Sequence, residues 1–162
     1  MQKNKRRCGE LKKYLIKIWI VLVLLIGIAA TTFAADFPVT SPFGWRIHPI
    51  TGEWKFHTGV DLGYADGTPI PALFDGSVVS SGNFSDGYGN QVLLYHPQID
   101  AYTRYAHCSV VYVNPGDSVY AGQIIALVGA TGNATGPHLH LEYIIRSTDG
   151  GYEYTNPLVL WQ

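Results

Sequence analysis

In the run Gly136-Pro137-His138-Leu139-His140-Leu141-Glu142, polar and apolar side chains alternate strictly from His138 onward. Alternation with a period of two marks a strand that has one face in a core. Residues i, i+2 and i+4 of a strand project from the same face. His138, His140 and Glu142 therefore share one face, while Leu139 and Leu141 enter a core. Two imidazoles on a rigid strand suit a metal ion or an acid–base pair. They equally suit an exposed sheet face with a polar surface, and this run alone leaves both readings open.

A second run, Phe56-His57-Thr58-Gly59-Val60-Asp61-Leu62, carries a histidine and an aspartate four residues apart. That spacing puts them on one face of a helix or of a strand. The β-branched Thr58 and Val60, with Gly59 and Gly63, favour a strand. His57, Asp61 and His140 together would make a three-ligand zinc site with a fourth position open. Closed structural sites use four protein ligands, so a three-ligand set is of the catalytic type. With one carboxylate its net charge is about +1, which suits polarising an amide carbonyl.

The remaining chain points to the same fold class. Eighteen Gly, nine Pro and eleven Tyr in 162 residues imply many turns between short strands. From Asp36 onward the pattern is extended over 37–48, 54–62, 77–81, 91–96, 102–107, 117–128 and 139–146. Turns fall at Ile50-Thr51-Gly52-Glu53, Phe74-Asp75-Gly76 and Asp149-Gly150-Gly151, and 83–89 is a loop. The prolines of Thr68-Pro69-Ile70-Pro71-Ala72 lead into a turn, and the chain beyond Gly151 is a tail. No helical periodicity of useful length occurs, and the expectation is an all-β domain.

Residues 1–17 are basic and polar and hold seven of the eleven Lys and Arg residues. The uncharged run 18–35 follows, about 27 Å long if helical, at the lower edge of a membrane span. Charged, apolar and small-residue regions in this order are the layout of an export signal, with a cut site at Thr32-Phe33-Ala34. Residues 1–35 are thus a signal peptide or an N-terminal membrane anchor formed by one hydrophobic helix, with membrane contact through residues 18–35. Either way the domain at 36–162 faces outward. Cleavage is favoured, because an anchor would hold a first strand starting near Phe37 at the lipid surface. Residues 36–162 hold four basic residues (Arg46, Lys55, Arg104 and Arg146) against eleven acidic ones, a formal charge of −7. That balance argues against a nucleic-acid partner. Cys8 and Cys108 lie on opposite sides of the apolar run and cannot pair, so the domain relies on its core.

His57-Thr58-Gly59-Val60-Asp61 together with Gly136-Pro137-His138-Leu139-His140 resembles the lysostaphin/LytM-type zinc metallopeptidases, family M23, which cut peptide bonds of bacterial peptidoglycan. Further segments agree in order: Ser41-Pro42-Phe43-Gly44, Arg46-Ile47-His48-Pro49, Tyr105-Ala106-His107, the run 114–123 and the run 129–136. The likeness spans roughly residues 37–160. It implies a β-sheet sandwich with an open groove, of the duplicated-hybrid-motif type. It implies zinc ligands at His57, Asp61 and His140, one Zn2+ per chain, and catalytic histidines at His107 and His138. The expected partner is a peptidoglycan peptide, met by an exported monomer at the cell wall or held at the membrane. Glycine bridges and direct D-amino-acid cross-links both fit, with specificity expected in the loops at 83–89 and 114–117.

Smaller expectations follow from the residues. His107 follows Thr103 and Tyr105 on one strand face, so it can point at the same groove, and Cys108 then points the other way as a small buried side chain. His48 lines the groove rather than binding metal, and His96 is structural. Glu142 either orients a histidine or is a sheet-edge carboxylate. Trp54, Tyr88 and Tyr120 rim the groove or belong to the sheet. Two alternatives stand against a peptidase. A non-catalytic domain of the same fold, binding the wall or activating a partner hydrolase, is expected to lack some of the five site positions, all of which are present here. A carrier or phosphotransfer domain would share Gly116-Asp117-Ser118-Val119 and Gly122-Gln123, but the paired histidine motifs and the export signal argue against it.

Overall fold

The computed structural model of the protein describes residues 38–161. The export segment, its cut site and its hydrophobic helix lie outside the described residues. Thirteen strands and one short 3-10 turn follow in order: β1 (Val39–Ser41), β2 (Gly44–Ile47), β3 (Trp54–His57), β4 (Val60–Leu62), β5 (Pro69–Pro71), β6 (Gly76–Asn83), β7 (Asn90–His96), β8 (Ala101–Cys108), β9 (Val110–Val111), β10 (Ser118–Val119), β11 (Ile124–Leu127), β12 (Leu139–Arg146), β13 (Tyr152–Thr155) and the turn Pro157–Trp161. Every strand pair is antiparallel. The all-β expectation holds. Among the described residues no helix is long and apolar enough to cross a membrane.

One large sheet runs β1-β4-β12-β8-β7-β6-β10, with β13 added to the far half of β12. A three-stranded sheet, β5-β11-β9, contributes to the same core, and β2 and β3 form a separate hairpin. Val60, Leu62, Val78, Val92, Leu94, Tyr105, Leu139 and Leu141 of the large sheet meet Ile70, Ile125, Ala126 and Val128 from the small-sheet side. Leu139 and Leu141 are buried as the alternation requires. Prolines 69 and 71 do not prevent β5, because β5 pairs on one side only, with β11; an edge strand tolerates residues that cannot donate to a ladder. β9 and β13 fall where the sequence shows only a short apolar pair and a tail. β13 forms because the turn at 147–151 folds Tyr152–Thr155 back along β12.

Two local departures from regular strand geometry position the site. The chain does not run as one strand from Trp54 to Leu62: it leaves the hairpin after His57 and joins the large sheet at Val60. His57 and Asp61 thus sit on different sheets. The second departure is in β8. Between the pairs Asn90↔Cys108 and Val92↔Tyr105, two steps along β7 face three along β8. This is a bulge, and within it His107 adopts φ 61°, the left-handed region that L residues rarely enter. Tyr105 and Cys108 both belong to the core cluster. Strict alternation from Thr103 and Tyr105 would have sent His107 into that core. The bulge turns it to the other face, which corrects the expectation that all three share a side.

Candidate metal centre

Asp61 and His140 are direct cross-strand partners, Asp61 on β4 and His140 on β12, and His140 faces Ala106 of β8 on its other side. The register alone therefore places a carboxylate beside an imidazole. His57 reaches them from the end of the hairpin. Gly59 makes this approach possible: a Cβ there would lie 2.4 Å from the Leu141 carbonyl oxygen and 2.9 Å from the His140 ring.

The three donor atoms form a tight triangle. His57 Nε2 lies 3.0 Å from His140 Nδ1, His140 Nδ1 lies 2.9 Å from Asp61 Oδ1, and His57 Nε2 lies 3.1 Å from Asp61 Oδ1. The opposite nitrogens are committed as donors. His57 Nδ1–H donates to the Pro42 carbonyl at 2.8 Å, and His140 Nε2–H donates to Glu142 Oε1 at 3.3 Å. With each outward nitrogen carrying a proton, the neutral tautomers leave the three inward atoms as lone pairs aimed at one another, an arrangement that a cation satisfies. Tetrahedral ligands about 2.05 Å from a zinc ion would stand about 3.3 Å apart, close to these separations. The residues fit a metal ion, with His57 and His140 oriented by their outward hydrogen bonds.

The electrostatics agree. Burial alone would raise the Asp61 carboxyl, but the imidazoles of His140 and His57 beside it outweigh that and hold the group well below the carboxylate range. Burial would lower His140, yet Asp61 and Glu142 more than offset it, so the site draws positive charge. Asp61 Oδ2 faces Arg46 Nη2 at 3.5 Å. Glu142, completely buried, resolves its two readings in favour of orientation. It accepts from Thr58 Oγ1 and from Tyr88 Oη (2.6 Å), and its Oε2 pairs with Arg104 Nη1 at 3.1 Å. Burial pushes its carboxyl up, but His140, Arg104 and Thr58 bring it below its ordinary value.

His107 and His138 stand beside this triangle. Their rings are 4.7 Å apart, His107 is 5.8 Å from the His140 ring, and His138 Nε2 lies 3.7 Å from Asp61 Oδ1. Each is pinned by Nδ1–H, His107 to the Thr131 carbonyl and His138 to the Gly136 carbonyl, both at 2.8 Å. Each therefore keeps Nε2 for chemistry. Burial chiefly, with its histidine neighbours, pushes His107 down to about 4, so it is neutral at pH 7. All five residues singled out in the sequence come together on one open groove of about 260 Å3.

The groove also takes in residues whose role the sequence did not single out. Arg46, Lys55, Asn133 and Thr135 line it, and Asp86, Gly87 and Tyr88 join them from the 83–89 loop, where the sequence led one to expect them. The 114–117 turn does not. It hydrogen-bonds to Val78 on β6, toward the β10 edge of the large sheet, away from β4 and β12; Asn133 and Thr135 of the 129–136 segment stand at the groove instead. His48 lines the groove without joining the triangle. His96 is structural: it is buried between the Asp75 carbonyl and Thr103 Oγ1, and burial lowers its basicity. Cys108 is a buried free thiol pushed up to about 12 by desolvation. Of the three aromatic residues, only Tyr88 rims the groove, while Trp54 and Tyr120 are exposed elsewhere.

Comparison with known proteins supports the same assignment. The DD-carboxypeptidase/endopeptidase Mpg of Neisseria meningitidis serogroup B is 44% identical over 104 residues, 64% of this chain and 24% of that protein. Lysostaphin of Staphylococcus staphylolyticus is 37% identical over 105 residues, 65% of this chain and 22% of that protein. The chain thus spans about a quarter of the length of these curated relatives. Among solved structures, the catalytic domain of lysostaphin from Staphylococcus simulans superposes with a TM-score of 0.68 at 32% identity, covering 78% of this chain and 92% of that one. The profile of peptidase family M23 matches residues 55–154, which include four strands of the groove and every residue of the triangle, and the chain accordingly belongs to peptidase family M23.

Proposed function

We propose that the protein is a zinc endopeptidase that hydrolyses peptide bonds in bacterial peptidoglycan outside the cytoplasm. The observation that carries this reading is the nest of three inward lone pairs on His57, Asp61 and His140, with two further histidines pinned beside it in an open groove. The names of the relatives, peptidoglycan endopeptidases and lysostaphin, supply the substrate class.

Zinc bound there supplies a Lewis acid that polarises the scissile carbonyl and brings the pKa of a water to about 7. The chain's own residues do the rest. His57 and His140 enter with fixed tautomers, and Arg46 holds the outer oxygen of Asp61. His107 and His138 share the proton work through Nε2: one takes the proton of the attacking water and the other serves the developing oxyanion and leaving amine. The bulge at His107 matters here, because it delivers an imidazole to the groove from a strand whose neighbouring side chains are core. Residues 1–35 direct export in this reading, and N-terminal sequencing of the exported form separates a cleaved signal, with a new terminus near Asp36, from an intact anchor.

The test is incubation of the zinc-loaded chain with purified wall, followed by mass spectrometry of the released fragments. New amino termini at peptide positions are expected, and they should vanish on chelation and return with zinc. Wall that stays intact under zinc-loaded conditions would overturn the assignment.

A further inference from the structure

The β2–β3 hairpin has two unlike faces. Trp45, Ile47, Trp54 and Phe56 alternate onto one, while Gly44, Arg46, Lys55 and His57 alternate onto the other, which borders the metal centre. On this inner face Arg46 and Lys55 are direct cross-strand partners. Like charges directly opposite each other on a sheet destabilise it. The arrangement is the more unusual because the domain has only four basic residues against eleven acidic ones. Two of the four occupy adjacent positions on one wall of the groove.

The acidic side chains lining the groove do not neutralise them both. Asp61 Oδ1 belongs to the donor triangle and Oδ2 faces Arg46. Asp86 accepts two bonds from Gln91 Nε2, at 3.0 and 2.7 Å, and one from the Tyr88 amide at 3.1 Å. Lys55 has no ion-pair partner among the described residues. The next groove residue on this wall adds a donor. His48 Nδ1 accepts from the amides of Ile50 (3.3 Å) and Thr51 (3.2 Å), so its proton resides on Nε2. Arg46, Lys55 and His48 thus offer positive charge and N–H groups and no acceptor.

From this juxtaposition we infer that the hairpin wall is a subsite for a carboxylate of the substrate, with Lys55 as its main contact. The inference rests on the peptidase reading, which supplies a peptide as the ligand and hence a carboxylate as its anion. The group recognised lies next to the scissile bond, because the same hairpin ends in the metal ligand His57. Two sources present that chemistry: the free α-carboxylate at the end of an uncross-linked stem, and a carboxylate on a residue whose chain continues through a cross-link. Glycine bridges carry none beside the cut, so the subsite favours directly cross-linked peptides.

The experiment uses the zinc-loaded full chain and four probes. These are cross-linked stem-peptide dimers with a free carboxylate beside the scissile amide, the same dimers as carboxamides, an uncross-linked stem ending in D-alanyl-D-alanine, and its C-terminal amide. The carboxylate form of at least one pair should show a kcat/KM about tenfold higher, carried by KM, as expected for a hydrogen bond to a charged group. The pair that shows it identifies the source. In Lys55→Met the two forms should be cleaved with equal kcat/KM, and Lys55→Arg should restore the preference. Wild-type enzyme that cleaves acid and amide equally, or a preference that survives Lys55→Met, overturns the subsite and leaves the peptidase reading standing. Failure to cleave any probe or any wall defeats that reading instead. Titration of D-alanyl-D-alanine and its amide into the protein, followed by NMR, then decides the subsite: tighter binding of the acid, lost in Lys55→Met, supports it, and equal binding overturns it.

Discussion

The two sides of the groove are built on opposite terms. On the sheet side, Asp61, His140 and Glu142 stand on strands whose other faces fill the core, and Glu142 is fully buried beneath His140. On the hairpin side, His57 closes a two-stranded ribbon whose outer face is left to solvent, with Trp45 62% and Trp54 67% exposed. The ribbon holds itself with aromatic contacts: Trp45 stacks on Trp54 at 6.3 Å and meets Phe56 edge-on, and Phe56 meets Phe43 in the same way. A two-stranded hairpin is marginal in water without further packing. Its attachment at the site runs through the Pro42–His57 bond, the Arg46–Asp61 pair and His57 itself. A metal ion there would join a rigid wall to a loosely supported one, so its removal should be felt unequally by the two.

The largest expected effect tests the rigid side. His140→Ala removes the donor shared by both other ligands and should take zinc content from about one per chain to a small fraction, with activity below detection. Zinc retained at the wild-type level in that variant would show that the sheet side is not the anchor. His107→Ala and His138→Ala should keep zinc and lose roughly 10²–10⁴-fold in turnover, as for groups that move protons. Wild-type turnover in either would make that residue structural.

Glu142→Gln probes the support beneath the sheet-side ligand. It leaves the Arg104 guanidinium without its carboxylate and should cost about 3 kcal/mol of stability at pH 7, the low end for breaking a buried pair. Its pH dependence has a definite sign. The Glu142 carboxyl lies below its ordinary 4.5 in the folded chain. Its ionisation therefore stabilises the fold fully above that value, and the stabilisation is withdrawn as pH falls through the folded one. The difference in melting temperature between wild type and Glu142→Gln should narrow from pH 7 to pH 3, and a constant difference would mean the charge is not what matters. The smallest effect belongs to the hairpin. Trp54→Ser removes the stack on Trp45 and should cost about 0.5–1.5 kcal/mol, felt in the ribbon and not in the large sheet. Zinc removal should nevertheless alter tryptophan fluorescence more than far-ultraviolet dichroism, because Trp45 and Trp54 report on the ribbon. Equal changes in both signals would erase the distinction between the two sides.

The sequence was legible where side-chain period carries the information. His138, His140 and Glu142 came out on one face because β12 and its approach alternate without interruption, and Leu139 and Leu141 went inward for the same reason. His57 and Asp61 were paired correctly on a wrong premise. They meet because the chain changes sheets at Thr58-Gly59, an event that leaves no periodic trace. His107 illustrates the same limit, since a bulge adds one residue and reverses every later orientation. The groove loops were half legible. Residues 83–89 reach the site, but the placement of 114–117 depends on strand order across the sheet, which local patterns do not encode. Prolines concealed β5, because a sequence does not say which strand will be an edge.

The bulge at His107 has an evolutionary consequence. Deleting Ala106 from β8 would restore regular pairing with β7 and seat His107 directly after Tyr105, on the groove face at the register position that now faces His140, without the bulge that sets its bond to the Thr131 carbonyl. The metal ligands, on other strands, would keep their register with one another. In the reading proposed above, a lineage could thus lose its hydrolytic step by an indel of one codon, with its metal ligands and its groove intact, and the displaced histidine would survive in the sequence as a misleading relic. In relatives of this chain, the spacing between the aromatic of Tyr105-Ala106-His107 and the following core residue is therefore a better marker of lost activity than the presence of the histidine.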